Sequence, residues 1–82
     1  MAGTGRKVIV DHKGFEVTIP IMAGPANAVF ASITEVDVND TPFMGLAGMT
    51  IDNVVPLQGS VVVRGSIGWE ANIRARIDVY AP

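Results

Sequence analysis

Hydrophobic and polar residues alternate along the last third of the chain with the two-residue period of a β-strand. Apolar residues or glycine occupy every second position of residues 61–69, and residues 73–80 repeat this pattern. The three residues between these stretches end in Asn72, a residue type that tolerates the left-handed conformation of tight turns. The pattern therefore predicts a β-hairpin over residues 61–80.

The side chains of this predicted hairpin favour one register. If Trp69 lies opposite Ile73, the apolar residues of both strands share one face, with Trp69 pointing inward. Arg64 then lies opposite Asp78 on the other face, and an ion pair between them is expected. A shift by one residue would lose both the apolar face and the pair of opposite charges.

A second hairpin is predicted near the start of the chain, over residues 6–21. Residues 6–10 form a short strand, and residues 15–21 alternate cleanly. The turn between them ends in Gly14, where a positive φ is favourable. Pro20 has no N–H to donate to a neighbouring strand, which places the second strand at the edge of a sheet.

The middle of the chain alternates less regularly. A strand is predicted over residues 28–39, with Val36 and Val38 pointing inward and Glu35 pointing outward. Residues 43–51 are apolar on both faces, which fits either a central strand covered on both sides or a segment that docks onto another chain. Pro and Gly interrupt every window that could hold a helix, and β-branched residues dominate.

These elements predict an all-β protein, a small barrel or sandwich of five to six mostly antiparallel strands that include the hairpins 6–21 and 61–80. A length of 82 residues allows one domain. Residues 1–5 are small and glycine-rich, so they are expected to form a flexible N-terminal arm ahead of a single β domain at residues 6–82.

The composition adds an expectation of self-association. Hydrophobic residues make up 49% of the chain and charged residues 17%, against roughly 25% charged in an average globular domain. A chain this short buries a small share of its surface, and it has no cysteine for a disulfide. We therefore expect a homo-oligomer that covers apolar surface, with a cyclic trimer as the first guess and a dimer or pentamer as the alternatives.

Charge and hydropathy argue against several classes of partner. A net charge of −2 disfavours nucleic acid, which attracts proteins with a basic surplus. The sequence has no apolar stretch of membrane-spanning length, and its start lacks the pattern of a secretory signal. The chain is therefore expected to be made in the cytoplasm without a signal peptide and to have no membrane partner.

The sequence suggests no enzyme activity, and no catalytic, cofactor-binding or metal site is predicted. His12 is the single histidine, and no nucleophile motif accompanies it. The acidic stretch 35–40 could supply oxygen ligands to a cation, but its spacing departs from that of the calcium-binding loop. A solvated strand face explains the stretch equally well.

Arg74, Arg76 and Tyr80 share the outer face of the predicted terminal hairpin and form a candidate ligand face. A small β-barrel that binds single-stranded nucleic acid uses basic residues interleaved with aromatic ones, and only Tyr80 fills the aromatic role here. A β-barrel module that binds nucleic acid, glycan or peptide is therefore the alternative function.

The lead expectation is a non-enzymatic structural protein that self-associates and docks on a larger assembly, such as a phage capsid. Small cysteine-free β proteins of this kind occur as capsid decoration, or cement, proteins in virions. This comparison rests on architecture alone, and no motif in the sequence supports it. Methionine is flexible and polarizable, which suits adaptable contact surfaces. The candidate contacts with subunits or partners are Pro20, Phe43, Met44, Leu46 and Met49.

Overall fold

The computed structural model describes residues 3–82, which form six β-strands and no helix. The strands make two antiparallel three-stranded sheets with the orders β1-β6-β3 and β2-β5-β4. The predicted all-β fold of mostly antiparallel strands is thereby confirmed. The strands are β1 (Gly3–Asp11), β2 (Lys13–Pro20), β3 (Phe30–Glu35), β4 (Gly48–Leu57), β5 (Ser60–Gly68) and β6 (Ile73–Ala81).

The strands of the two predicted hairpins exist, but they pair with other partners. β1 pairs with β6, and β2 pairs with β5, so each connection passes from one sheet to the other. The pairings predicted within 6–21 and 61–80 are therefore wrong. Alternation identifies the apolar face of a strand, but it does not say which strand lies alongside. Each sheet must cover the apolar face of the other, and consecutive strands that lie in different sheets achieve this.

The inward faces of the two sheets form one apolar core. The inward positions that alternation indicates on β2, β5 and β6 are confirmed, with Ile19, Ile67 and Ile77 almost fully buried. Along residues 3–82, no polar or charged residue is buried. The edge strands β1 and β2 lie beside each other, as β3 and β4 do, so the sandwich approaches a closed barrel.

Two short connections brace one end of the sandwich. His12 alone separates β1 from β2, and Lys13 takes a φ of 58°, so the positive φ falls one residue before the predicted Gly14. The connection between β5 and β6 supplies Asn72, whose Oδ1 lies 2.6 Å from Nδ1 of His12. The two sheet-to-sheet connections therefore contact each other.

The hairpin formed by β4 and β5 is the one that alternation does not predict. A register shift between Ile51 and Asn53 and the proline at position 56 interrupt the two-residue period of β4. Gly59 turns the chain with a φ of +81°, and its N–H donates to the Ala23 carbonyl oxygen at 2.9 Å. The turn is thereby fastened to the segment after β2, at the end opposite His12.

The third strand is shorter than predicted. β3 ends at Glu35, Val36 is buried as expected, and Val38 is 86% exposed rather than inward. Glu35 departs from the expected outward direction, because its Oε1 atom is buried. A turn after Val36 changes the direction of the chain and ends the alternation.

The N-terminal arm also differs in part from expectation. β1 begins at Gly3, so residues 3–5 of the expected arm pair with β6. Residues 1 and 2 of that arm lie outside the described residues.

Candidate functional site

Exposed apolar side chains gather at the end of the sandwich where His12 lies. Phe43, Leu46 and Trp69 line one hollow of about 300 Å³, and Met44 lines an adjacent hollow of about 330 Å³ together with Phe43. Met44 is 98% and Leu46 92% exposed. We name these four residues the apolar tip; three lie on the connection between β3 and β4, and Trp69 lies on the connection between β5 and β6.

A hydrogen-bonded turn holds the connection between β3 and β4. Oδ1 of Asp37 accepts bonds from the backbone N–H groups of Asn39 and Thr41 at 2.8 and 3.0 Å. Nε of Arg74 donates to Oδ1 of Asp40 at 2.7 Å, which ties the turn to β6. This bond lowers the pKa of Asp40 below its ordinary value. The acidic stretch 35–40 thus positions the apolar tip.

Two acidic side chains of this stretch, Asp37 and Asp40, already have partners within the protein. Asp37 binds backbone donors, and Asp40 binds Arg74. In the part of the chain that the structure describes, no group of three or more His, Cys, Asp or Glu residues is placed to hold a metal ion. The side chains of Asp37 and Asp40 therefore help to shape the connection.

The predicted contact residues do not form one surface. Three of them, Phe43, Met44 and Leu46, belong to the apolar tip. Met49 lies on the inner face of β4 and packs against the core. Pro20 lies on an edge strand, as expected, but at the opposite end of the sandwich, where it lines a hollow of about 800 Å³.

Trp69 is the tip residue that sequence reasoning assigns to the wrong side. The alternation of residues 61–69 predicts it inward, whereas it is 44% exposed. β5 ends at Gly68, and the chain leaves the sheet one residue before the alternation ends. The alternation stops at residues 70–72, directly after Trp69, and this is the sequence signal that could have revealed its exposure.

Arg74 and Arg76 share the outer face of β6 with Tyr80, but both guanidinium groups have acidic partners. Arg74 pairs with Asp40, and Nε of Arg76 lies 2.8 Å from Oδ2 of Asp78. Tyr80 is 49% exposed. Both arginines of the candidate ligand face are therefore engaged by carboxylates of the protein itself.

The expected ion pair between Arg64 and Asp78 does not form, because these residues lie in different sheets. Nη2 of Arg64 binds Oε1 of Glu16 across β2 and β5 at 2.7 Å. Asp78 instead lies between two arginines, with Nε of Arg6 2.5 Å from its Oδ1 and Arg76 on its other oxygen.

Asp78 makes the free energy of unfolding of the protein depend on pH. Burial raises the pKa of Asp78, but the hydrogen bonds and positive charges of Arg6 and Arg76 outweigh burial and hold the pKa below its ordinary value. Folding therefore favours the ionised carboxylate.

We expect Asp78→Asn to destabilise the protein at neutral pH but not in strong acid. A carboxyl group whose pKa is lowered by folding stabilises the folded state above its unfolded pKa of about 3.9, and this contribution is lost as the pH falls through the folded-state pKa. Exposed ion pairs contribute about 0.2–1 kcal/mol, which sets the expected loss at neutral pH. Urea unfolding of both proteins between neutral and strongly acidic pH measures it, and a difference independent of pH would contradict this role.

Comparison with protein-family models, with curated proteins and with solved structures finds no match to this chain. Residues 3–82 contain no helix long and apolar enough to span a membrane.

Proposed function

We propose that this protein is a non-enzymatic assembly protein that self-associates through its apolar tip and docks on a larger assembly. The observation that carries the proposal is the clustering of the four tip residues at one end of the sandwich. Two of them, Met44 and Leu46, are more than nine-tenths exposed in the single chain. Burying such a side chain contributes about 1.5–3 kcal/mol, a gain that the isolated chain leaves unused.

The distribution of apolar surface, rather than its total amount, supports this proposal. The accessible surface is 4905 Å², and a folded monomer of 8.6 kDa is expected to expose about 4,700 Å². The single chain thus exposes about as much surface as is expected of a folded monomer of its size. A cluster of apolar side chains on such a protein is typical of an interaction site.

We expect the protein to form a homo-oligomer that the double substitution Met44→Gln and Leu46→Gln weakens. The two glutamines remove apolar area from the contact without touching the core, so the dissociation constant is expected to rise about tenfold or more. Light scattering and sedimentation over a dilution series measure the mass of both proteins.

Matched control substitutions are available on the outer face of β4. Val55 and Leu57 are each 42% exposed and lie away from the tip, so Val55→Gln with Leu57→Gln removes apolar surface elsewhere. This control is expected to keep the oligomer. A wild-type protein that stays monomeric at every concentration would overturn the proposal, as would equal weakening by both double variants.

We extend the proposal to the kind of assembly, a phage virion in which the protein decorates the capsid. The support is its small size, its lack of cysteine and its two-sheet architecture, an analogy at the level of the fold. The presence of this chain in purified particles, detected by mass spectrometry, would test it.

A small β-barrel binding module for nucleic acid, glycan or peptide is the alternative proposal. The observation in its favour is an exposed aromatic pair, Phe30 opposite Tyr80, on the outer face that holds Arg74 and Arg76. Against it, both arginines are paired with carboxylates. Retention on an immobilised oligonucleotide at low salt, lost at high salt, would favour the alternative.

A further inference from the structure

Glu35 places a carboxylate beneath the apolar tip without a partner. Its Oε1 atom is buried and has no hydrogen-bond partner among the described residues. Gly45 covers this atom so closely that a Cβ at position 45 would overlap the carboxylate. Glu35 also lines both hollows of the tip. A buried carboxylate oxygen is stabilised by a hydrogen bond or a cation, and the single chain supplies neither to Oε1 of Glu35.

An unpaired cation lies at the same end of the sandwich. Lys13 opens β2 and is exposed, and no acidic side chain within residues 3–82 forms an ion pair with it. β2 lies beside β1 at one edge, and β3 lies beside β4 at the other. Lys13 and Glu35 therefore occupy diagonally opposite corners of this end, with the connection that carries Trp69 between them.

We propose that two copies join tip to tip around a two-fold axis, and that Lys13 of each copy enters the hollow of the other and pairs with its Glu35. This inference rests on the self-association proposed above. A two-fold rotation about an axis across the middle of this end exchanges the two corners, so that both ion pairs form in one closed interface. Trp69 lies at the centre of that interface.

The shapes of the two corners fit the same arrangement. The corner of Glu35 carries the long connection 36–47 with its exposed Met44 and Leu46, whereas a single residue, His12, turns the chain at the corner of Lys13. In the proposed dimer, the long connection of one copy lies over the short turn of the other. The arrangement closes at two copies, whereas a trimer is the first expectation from the sequence and a dimer is an alternative.

The first test compares Lys13→Glu with Lys7→Glu. Lys7 is also exposed and unpaired within residues 3–82, but it lies midway along β1, opposite Ile77. Both variants change the net charge equally. Lys13→Glu brings two carboxylates together and is expected to raise the dimer dissociation constant about tenfold or more, whereas Lys7→Glu should leave it near the wild-type value.

Charge exchange provides the second test. Glu35→Lys alone is expected to weaken the dimer, and an equimolar mixture with Lys13→Glu is expected to restore it as a heterodimer. One ion pair then joins the unchanged Lys13 and Glu35, and the other joins the two substituted residues with their charges exchanged. Native mass spectrometry distinguishes the heterodimer by its mass. Failure of the mixture to associate while both variants remain folded by circular dichroism would overturn the two-fold arrangement.

A crosslink gives an independent answer, because a lysine side chain at position 35 has to fit a half-buried site. The chain has no cysteine, so single substitutions create unique thiols. A short bismaleimide is expected to join Lys13→Cys to Glu35→Cys in a mixture, and not to join Lys7→Cys to Glu35→Cys. A tip-dependent oligomer without the first crosslink would reject this interface and leave the proposed function standing; a monomeric wild-type protein would reject both.

Discussion

Replacement of Ile77 by alanine is expected to lower the free energy of unfolding by about 2–5 kcal/mol. Ile77 is completely buried in the middle of β6, the central strand of its sheet. The substitution removes apolar atoms from the core and leaves a cavity between the two sheets. The close packing of the sheets prevents this cavity from collapsing. A small domain is stable by only about 5–15 kcal/mol, so the loss is a large part of the total.

Urea unfolding at one fixed protein concentration measures this effect, since self-association would otherwise add to the stability. Val10→Ala is the matched control: Val10 lies on the neighbouring strand β1, is 57% exposed and should change stability by no more than about 0.5 kcal/mol. Similar losses for the two variants would show that Ile77 does not occupy a buried position in the core.

The sequence predicts the apolar face of a strand well because burial imposes a strict two-residue period. Ile19, Ile67 and Ile77 point inward as their positions indicate. The period says nothing about which strand lies alongside, however, and the two predicted hairpins show this. The segments 11–14 and 70–72 contain residues typical of turns, and a chain that crosses between sheets needs the same residues as one that turns back within a sheet.

The candidate site is less predictable because it depends on where strands end. Leu46 and Met44 attract attention as apolar residues in a segment with no polar face, and they are exposed in the tip. Trp69 and Glu35 are assigned to the wrong sides, since each lies where β5 or β3 stops and the chain changes direction. Only the packing of the connection between β3 and β4 against the sheets reveals that the carboxylate of Glu35 lies beneath the apolar tip.

Gly65→Ala is expected to destabilise the protein strongly through crowding rather than through a cavity. Gly65 lies on the inner face of β5, directly opposite Phe15 of β2. A Cβ at position 65 would overlap the Thr50 carbonyl oxygen of β4 and lie 2.7 Å from Cζ of the Phe15 ring. The phenylalanine therefore fills the space that a side chain at position 65 would need.

Overpacking typically costs about 1–3 kcal/mol, and we expect a value near the upper end because one of the crowded atoms belongs to the backbone. For a domain of this size, the melting temperature is expected to fall by roughly 8–20 °C, measured by calorimetry. Gly14→Ala is the control: no atom lies within 4 Å of a Cβ there, so its stability is expected to stay unchanged or rise by up to about 1 kcal/mol. Equal melting temperatures for the two variants would contradict the close packing of Phe15 against β5, and with it the register of β2 on β5.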